Sequence, residues 1–228
     1  MSARYAVFFA PDNSSNLASY GACTLRRLPD AQAYEIDSNS FQDQSLAEQL
    51  TATPTHYGFH ATLKAPFYLA SGTSEQQLFE AVEEFCKSQK PIVLDGLKPQ
   101  WLGSFMALSF AGQPQEIIDL ASQCVTSFER FRAPLMAEDL SKRKPDSLSE
   151  VQKTYLYKYG YPFVMSEFNF HMTLTSRFEC NEYPDYVEWL QNLYDEMVPD
   201  TPYLDRLVVF SQVDRKTPFK QLAQFPFG

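Results

Sequence analysis

The sequence predicts an α+β fold built from two topologically similar lobes, and three observations carry that prediction. The word F-H-x-T-L occurs twice, as Phe59-His60-Ala61-Thr62-Leu63 and as Phe170-His171-Met172-Thr173-Leu174, and takes two of the chain's three histidines. Each copy lies in a strand-like run that is followed by a strong helical pattern and then by more strands. No Gly-, Ser- or Pro-rich linker divides the halves, so residues 1–228 read as a single domain of two similar lobes, each contributing one motif strand.

Each element has a local reason. Tyr5 to Ala10 is a short apolar strand closed by Pro11-Asp12, and residues 15–28 form a helix with a weak serine cap. Residues 29–53 are polar and irregular, with one short helix near Leu46–Leu50, and His56 to Leu69 is a strand broken at Pro66. Thr73 or Ser74 caps the next helix, whose Leu78, Ala81, Val82 and Phe85 form an i, i+3, i+4, i+7 stripe before Pro91. Strands follow at Ile92–Leu94, Leu97–Leu102 and Phe105–Phe110. A helix from Pro114 to Phe131 carries Ile117, Leu120, Ala121, Cys124, Val125 and Phe128 on one face. The basic stretch 141–150 is a loop, and residues 149–158 form a further helix. Phe168 to Phe178 is the second motif strand, Tyr183 to Val198 a helix, and Leu204–Val213 and Phe219–Phe225 the last strands.

Bulk properties narrow the function. Hydrophobic residues make up 44% of the chain, with 19 Phe and 13 Tyr, which favours a packed core over disorder. No apolar run is long enough to span a membrane, and the N-terminus makes a better strand than a signal peptide. Four cysteines without C-x-x-C spacing suit reduced, buried thiols in a cytoplasmic protein. A net charge of −9 argues against a partner as large as a long nucleic acid, because a polyanion would be repelled over most of the surface. An anionic substrate must then be small or terminal and be met by local positive charge. Nothing in the sequence fixes the oligomeric state.

On a strand, alternate side chains share a face. His60 and Thr62 therefore stand together, ~7 Å apart at ~3.3 Å per residue, with Ala61 and Leu63 behind them. His171 and Thr173 repeat the arrangement. The same parity extends to Lys64 on one strand and to Thr175 and Arg177 on the other. If an approximate two-fold relates the lobes, the two rows face each other across a cleft and surround a small volume suited to a phosphate diester. One imidazole takes a proton from the attacking oxygen and the other returns one to the leaving oxygen. Threonine hydroxyls donate to the non-bridging oxygens where charge builds. No metal or other cofactor is required.

The doubled motif resembles the paired H-x-T signature of the 2H phosphoesterase superfamily. Tyr57 to Pro66 (YGFHATLKAP), residues 130–135 (RFRAPL), 159–164 (YGYPFV) and 167–175 (EFNFHMTLT) are further similar to a bacterial branch of uncharacterised proteins associated with phosphonate operons. The resemblance implies a pseudo-symmetric two-lobed fold, with antiparallel sheets lining a central cleft and helices outside. It implies His60 and His171 as the catalytic pair, Thr62 and Thr173 as phosphate donors, and metal-independent chemistry on 2′,3′-cyclic phosphates, 2′-5′ linkages or related diesters. Where members of that branch carry an arginine before Y-G-F-H, this chain has His56.

Supporting residues have bland readings beside functional ones. Lys64 can meet a phosphate oxygen or stand in solvent at a strand end. Arg177 reaches the cleft rim, and Arg132 is either a substrate contact or a cation placed favourably at a helix end. The Lys142-Arg143-Lys144 run gathers anions or is an ordinary solvated loop. Tyr57, like Tyr159 and Tyr161, stacks on a base or simply packs. His56 brings the histidines to three, the ligand count of a catalytic zinc, but lies ~13 Å from His60 on an extended strand, too far to share one ion. No G-x-x-x-x-G-K-[ST] loop, G-x-S-x-G elbow or H-E-x-x-H pair occurs.

The function expected is a metal-independent phosphodiesterase acting on a small nucleotide or sugar-phosphate diester, with the link to phosphonate metabolism that the resemblance implies. A non-catalytic binder of phosphorylated ligands or RNA ends in the same cleft is the alternative. An aromatic-rich structural partner, with motifs that only pack, is the third reading.

Overall fold

Alternation decides β1 (Arg4–Phe9). Val7 and Phe9 enter the main core, whereas Ala6 and Phe8 join a smaller apolar cluster on the opposite face. The computed structural model describes residues 3–228. After β1 come α1 (Asn16–Leu25), capped by Ser15, and α2 (Gln44–Tyr57), capped by Asp43. The first motif leads into β2 (Ala61–Tyr68). Next is α3 (Glu75–Lys87), where Ser74 and Gln77 cap each other reciprocally and Leu78 and Val82 are buried in the stripe the sequence predicts.

The middle of the chain supplies β3 (Ile92–Val93), β4 (Lys98–Leu102), β5 (Phe105–Ser109), α4 (Gln115–Ser127), α5 (Ala137–Lys142) and α6 (Glu150–Tyr159). The second motif holds β6 (Met172–Thr173), followed by α7 (Pro184–Met197), β7 (Tyr203–Leu204), β8 (Arg206–Gln212) and β9 (Lys220–Pro226). Seven strands form one antiparallel sheet in the order β4-β5-β6-β2-β1-β8-β9, while β3 and β7 pair separately. Helices α1, α3, α4 and α7 bury Tyr20, Leu78, Leu120 and Leu190 against one face of that sheet. The opposite face holds a small cluster of Ala6, Phe8, Ala10, Val208, Phe210 and Phe219, and it is the face that presents the motif side chains.

Three expectations are corrected. The short helix expected near Leu46–Leu50 extends over residues 44–57 as one helix, so no strand begins at His56. Pro54 cannot donate to the Leu50 carbonyl, but Ser176 N–H takes that acceptor instead, so the helix continues past the proline. The second motif strand is two residues long rather than Phe168–Phe178. Finally, the two motif strands do not face each other from separate sheets across a cleft: β2 and β6 are neighbours in one sheet.

Candidate functional site

Ala61 of β2 pairs with Met172 of β6, antiparallel, and both are fully buried against the helices. This register puts His60 across from Thr173 and Thr62 across from His171. All four side chains rise from the face opposite Ala61 and Met172, and all four are half-buried. The two histidines are then diagonal neighbours, with Cα atoms about 7–8 Å apart. Thus the sheet brings the two imidazole–hydroxyl pairs together side by side and reciprocally.

Both rings are held the same way. His60 Nδ1 lies 2.8 Å from the Gly58 carbonyl and His171 Nδ1 lies 2.8 Å from the Asn169 carbonyl, each two residues upstream. A carbonyl only accepts, so Nδ1 carries the proton and Nε2 keeps its lone pair. His60 Nε2 is 3.2 Å from the Thr62 hydroxyl, and the ring stacks on Phe8 with centroids 3.8 Å apart. Burial pushes His60 down to about 4, and the neighbouring His171 adds to the effect. Burial lowers His171 as well. Burial therefore favours the neutral form of both rings in the free protein.

The phenylalanine of each motif anchors its histidine. Phe59 lies over α1 where a side chain at residue 21 would be: a Cβ on Gly21 would stand 2.0 Å from the Phe59 ring. Phe170 is fully buried between Phe9 and Phe110. Its backbone is pinned on both sides, because its N–H donates to Gln113 Oε1 at 2.7 Å and its carbonyl accepts from Ser109 Oγ at 2.8 Å.

Beyond the motifs, parity fails on both strands. Phe8 pairs with Thr62, but its neighbour Val7 pairs with Lys64, so a bulge at Leu63 throws Lys64 onto the core face. There Lys64 is only 2% exposed, donating to Glu129 at 2.7 Å and to the Val125 carbonyl at 3.0 Å. It is not presented beside Thr62 as the alternation predicts. The second strand breaks at the corresponding place. Leu174 and Thr175 N–H both reach the Met106 carbonyl, and the Thr175 hydroxyl turns inward to accept from Met106 N–H. Arg177 is exposed, donating to Ser104 Oγ at 3.1 Å over the Phe105 ring, which itself lies 6.0 Å from His171.

His56 occupies the last turn of α2, so the extended spacing from His60 does not exist. Its Nε2 accepts from Gln212 Nε2 at 2.9 Å, and Gln212 Oε1 accepts from Arg4. Arg4 and His56 both line a cavity of about 320 Å³ that neither motif histidine lines. Tyr57 joins the two regions: it lines the cavity and its ring lies 6.4 Å from that of His60. Arg132 also lines the cavity, but its guanidinium is bound to Glu129 at 2.6 and 2.9 Å and to the Ala133 and Lys158 carbonyls. Lys142 and Arg143 join it from the basic run. Arg4, Tyr68 and Arg215 complete the cationic end, and sequence reasoning missed all three. Their only signal was position: Arg4 opens β1, Tyr68 closes β2 opposite it, and Arg215 follows β8.

A family model described as a protein of unknown function (DUF1045) matches residues 62–220, well over half of the chain. The chain belongs to this family. The matched span takes in Thr62, His171 and Thr173 and begins two residues after His60. Among curated proteins the chain is similar to a ribose 1,5-bisphosphate phosphokinase PhnN of Janthinobacterium sp. (strain Marseille), 41% identical over 174 residues, covering 75% of this chain and 38% of that one. It is 28% identical over 185 residues to a protein of the same name from Laribacter hongkongensis (strain HLHK9), covering 81% of this chain and 42% of that one. The chain therefore spans less than half the length of these relatives. A crystal structure of a conserved protein of unknown function from Agrobacterium tumefaciens str. C58 aligns over 98% of this chain and 86% of its own, with a TM-score of 0.45 and 15% identity. Among the described residues, no helix is long and apolar enough to cross a membrane.

Proposed function

We propose that this chain is a metal-independent phosphodiesterase of the 2H type, acting on a small phosphate diester of a sugar or nucleotide. The observation that carries the reading is the reciprocal register of β2 and β6, which sets two Nε2 lone pairs and two hydroxyls around one patch of surface. An anionic diester seated there meets no carboxylate from either motif. Its charge favours protonation of one imidazole and so offsets the burial that keeps both rings neutral. The neutral ring then removes a proton from the attacking water, and the protonated one delivers a proton to the departing oxygen. Thr62 and Thr173 donate to the non-bridging oxygens as charge accumulates. In this reading residues 1–228 act as one unit of two similar lobes, each supplying one histidine and one threonine.

The relatives' name points to a different reaction, phosphoryl transfer to ribose 1,5-bisphosphate. This chain covers 38% and 42% of those proteins and has no G-x-x-x-x-G-K-[ST] stretch. We therefore take from the name the substrate class, a phosphorylated ribose, and assign the kinase step to the length that this chain does not span. A place in phosphonate metabolism follows from the operon resemblance. A binder of phosphorylated ligands without turnover is the second reading, favoured by the burial that lowers both imidazoles in the free protein.

Hydrolysis of 2′,3′-cyclic phosphates with EDTA present separates the two readings. Turnover by the wild type that disappears in His60→Ala and His171→Ala, with binding retained, supports the enzyme. Binding by the wild type with no turnover of any cyclic phosphate removes the enzyme and leaves the binder.

A further inference from the structure

The cavity beside Tyr57 concentrates positive charge in a protein whose net charge is −9. Five cationic side chains line it, Arg4, Arg132, Lys142, Arg143 and Arg215, and Asp139 is the one carboxylate among the described residues that do so. Three of the five already have a carboxylate partner: Arg132 has Glu129, which it shares with Lys64, Arg215 has Asp139, and Lys142 has the exposed Glu138 at 2.5 Å. Arg4 and Arg143 have no ion-pair partner among the described residues.

Neutral groups aim these two guanidiniums. Arg4 Nε donates to Gln212 Oε1 at 3.0 Å, and its guanidinium lies over the Phe219 ring, 5.4 Å from the centroid. Gln212 is itself 1% exposed and fixed by its contacts with His56 and the Thr217 carbonyl. Arg143 lies over the Tyr161 ring, 4.7 Å from the centroid. Gly160 makes room for Arg132 in the cavity wall, since a Cβ there would stand 3.0 Å from Arg132 Cδ. Arg4 is also near enough to Arg215 for their like charges to oppose each other, beyond the cost of its burial. Two oriented, unneutralised guanidiniums in a concave polar site form a receptor for a doubly charged anion.

The position of this receptor relative to the motif shelf defines its use. Arg4 pairs with Tyr68 at the far end of β2, while Phe8 pairs with Thr62, so both lie on one sheet face with four residues, ~13 Å, between them. A long arginine side chain closes much of that gap, and Tyr57 borders both sites. We propose that the cavity is a second phosphate subsite, and that the substrate is a diester carrying a terminal phosphate monoester on the same small sugar. The diester sits at His60 and His171, and the monoester is held by Arg4 and Arg143. This deepens the phosphodiesterase reading and rests on it for turnover. The subsite stands independently as a binder of sugar monophosphates.

Two measurements test it. Ribose 5-phosphate, which has no diester, is titrated calorimetrically into the wild-type protein and into Arg143→Gln and Arg4→Gln. Binding that weakens about tenfold or more in each variant is expected from loss of one charge-assisted contact. In parallel, kcat/KM is compared for a 2′,3′-cyclic nucleotide with and without a 5′-phosphate. The wild type should prefer the phosphorylated substrate by at least about tenfold, and Arg143→Gln should bring the ratio towards one. Arg143 ends a short surface helix, so this variant keeps the test open if Arg4→Gln fails to fold. Ribose 5-phosphate binding without turnover upholds the subsite while the phosphodiesterase reading falls. Equal binding by wild type and Arg143→Gln, or no binding by either, overturns the subsite.

Discussion

Ala61 and Met172 are cross-strand partners, and that single pairing turns two sequence motifs 111 positions apart into one site. Because both are buried against the helices, the register is locked by the core: a slip of one residue would drive the histidines inward and Ala61 and Met172 outward. The two carbonyls that fix the Nδ1 protons, on Gly58 and Asn169, belong to the same strand entries. The arrangement of the candidate site is therefore a property of backbone placement as much as of side-chain identity.

The pH dependence of turnover follows from the lowered imidazoles. A mechanism with one neutral and one protonated ring gives a bell-shaped kcat/KM that reports the free protein. With His60 at about 4 and His171 below its ordinary 6.5, the maximum should lie on the acidic side of 6.5. The kcat profile should move to higher pH, because bound anion favours the charged rings. A kcat/KM maximum above pH 7 contradicts this account.

Stability should carry the same signature. A histidine lowered by folding binds a proton more readily when unfolded. Its contribution to stability is complete above the unfolded value near 6.5 and is lost as pH falls through the interval down to about 4. The melting temperature of the wild type should thus drop more between pH 6.5 and 4 than that of His60→Asn. Parallel curves would show that the ring is no less readily protonated in the folded state.

Lys64 and Glu129 provide a test of a structural role. Glu129→Ala leaves a buried ammonium with only the Val125 carbonyl and should cost about 3 kcal/mol by urea unfolding. Lys64→Met removes the charge together with its need for a partner and should cost clearly less. If Lys64 instead held substrate, Lys64→Met would raise KM at unchanged stability.

Gly21 should resist substitution although it lies inside a helix, where alanine ordinarily stabilises. Gly21→Ala drives a methyl into the Phe59 ring and should cost about 1–3 kcal/mol while displacing His60 enough to lower kcat. A gain in stability would mean that Phe59 does not anchor the motif.

Much of the candidate site was legible in the sequence. The doubled word named both histidines and both threonines, and strand alternation placed each pair on one face. What alternation could not supply was the bulge at Leu63, which is set by pairing with β1 and moves Lys64 into the core. Nor could it show α2 running to Tyr57, since Pro54 reads as a breaker until Ser176 is seen taking the freed Leu50 carbonyl. The cationic cavity was legible only in pieces, Arg132 and the 142–144 run, because Arg4 and Arg215 reach it through strand order that no local pattern encodes. The motif strands expected to face each other across a cleft are instead neighbours in one sheet, a distinction that lies wholly in long-range topology.

The measurement closest to the central claim uses the fact that the chain has only three histidines. Ring carbon NMR shifts, followed against pH with and without a nucleoside 2′-monophosphate (the product of opening a cyclic diester), report each imidazole separately. If one anion sits between His60 and His171, both should titrate at higher pH once the ligand is bound, and His171→Ala should abolish the response of His60. A ligand that shifts only one of the two rings, or neither, would contradict the shared site.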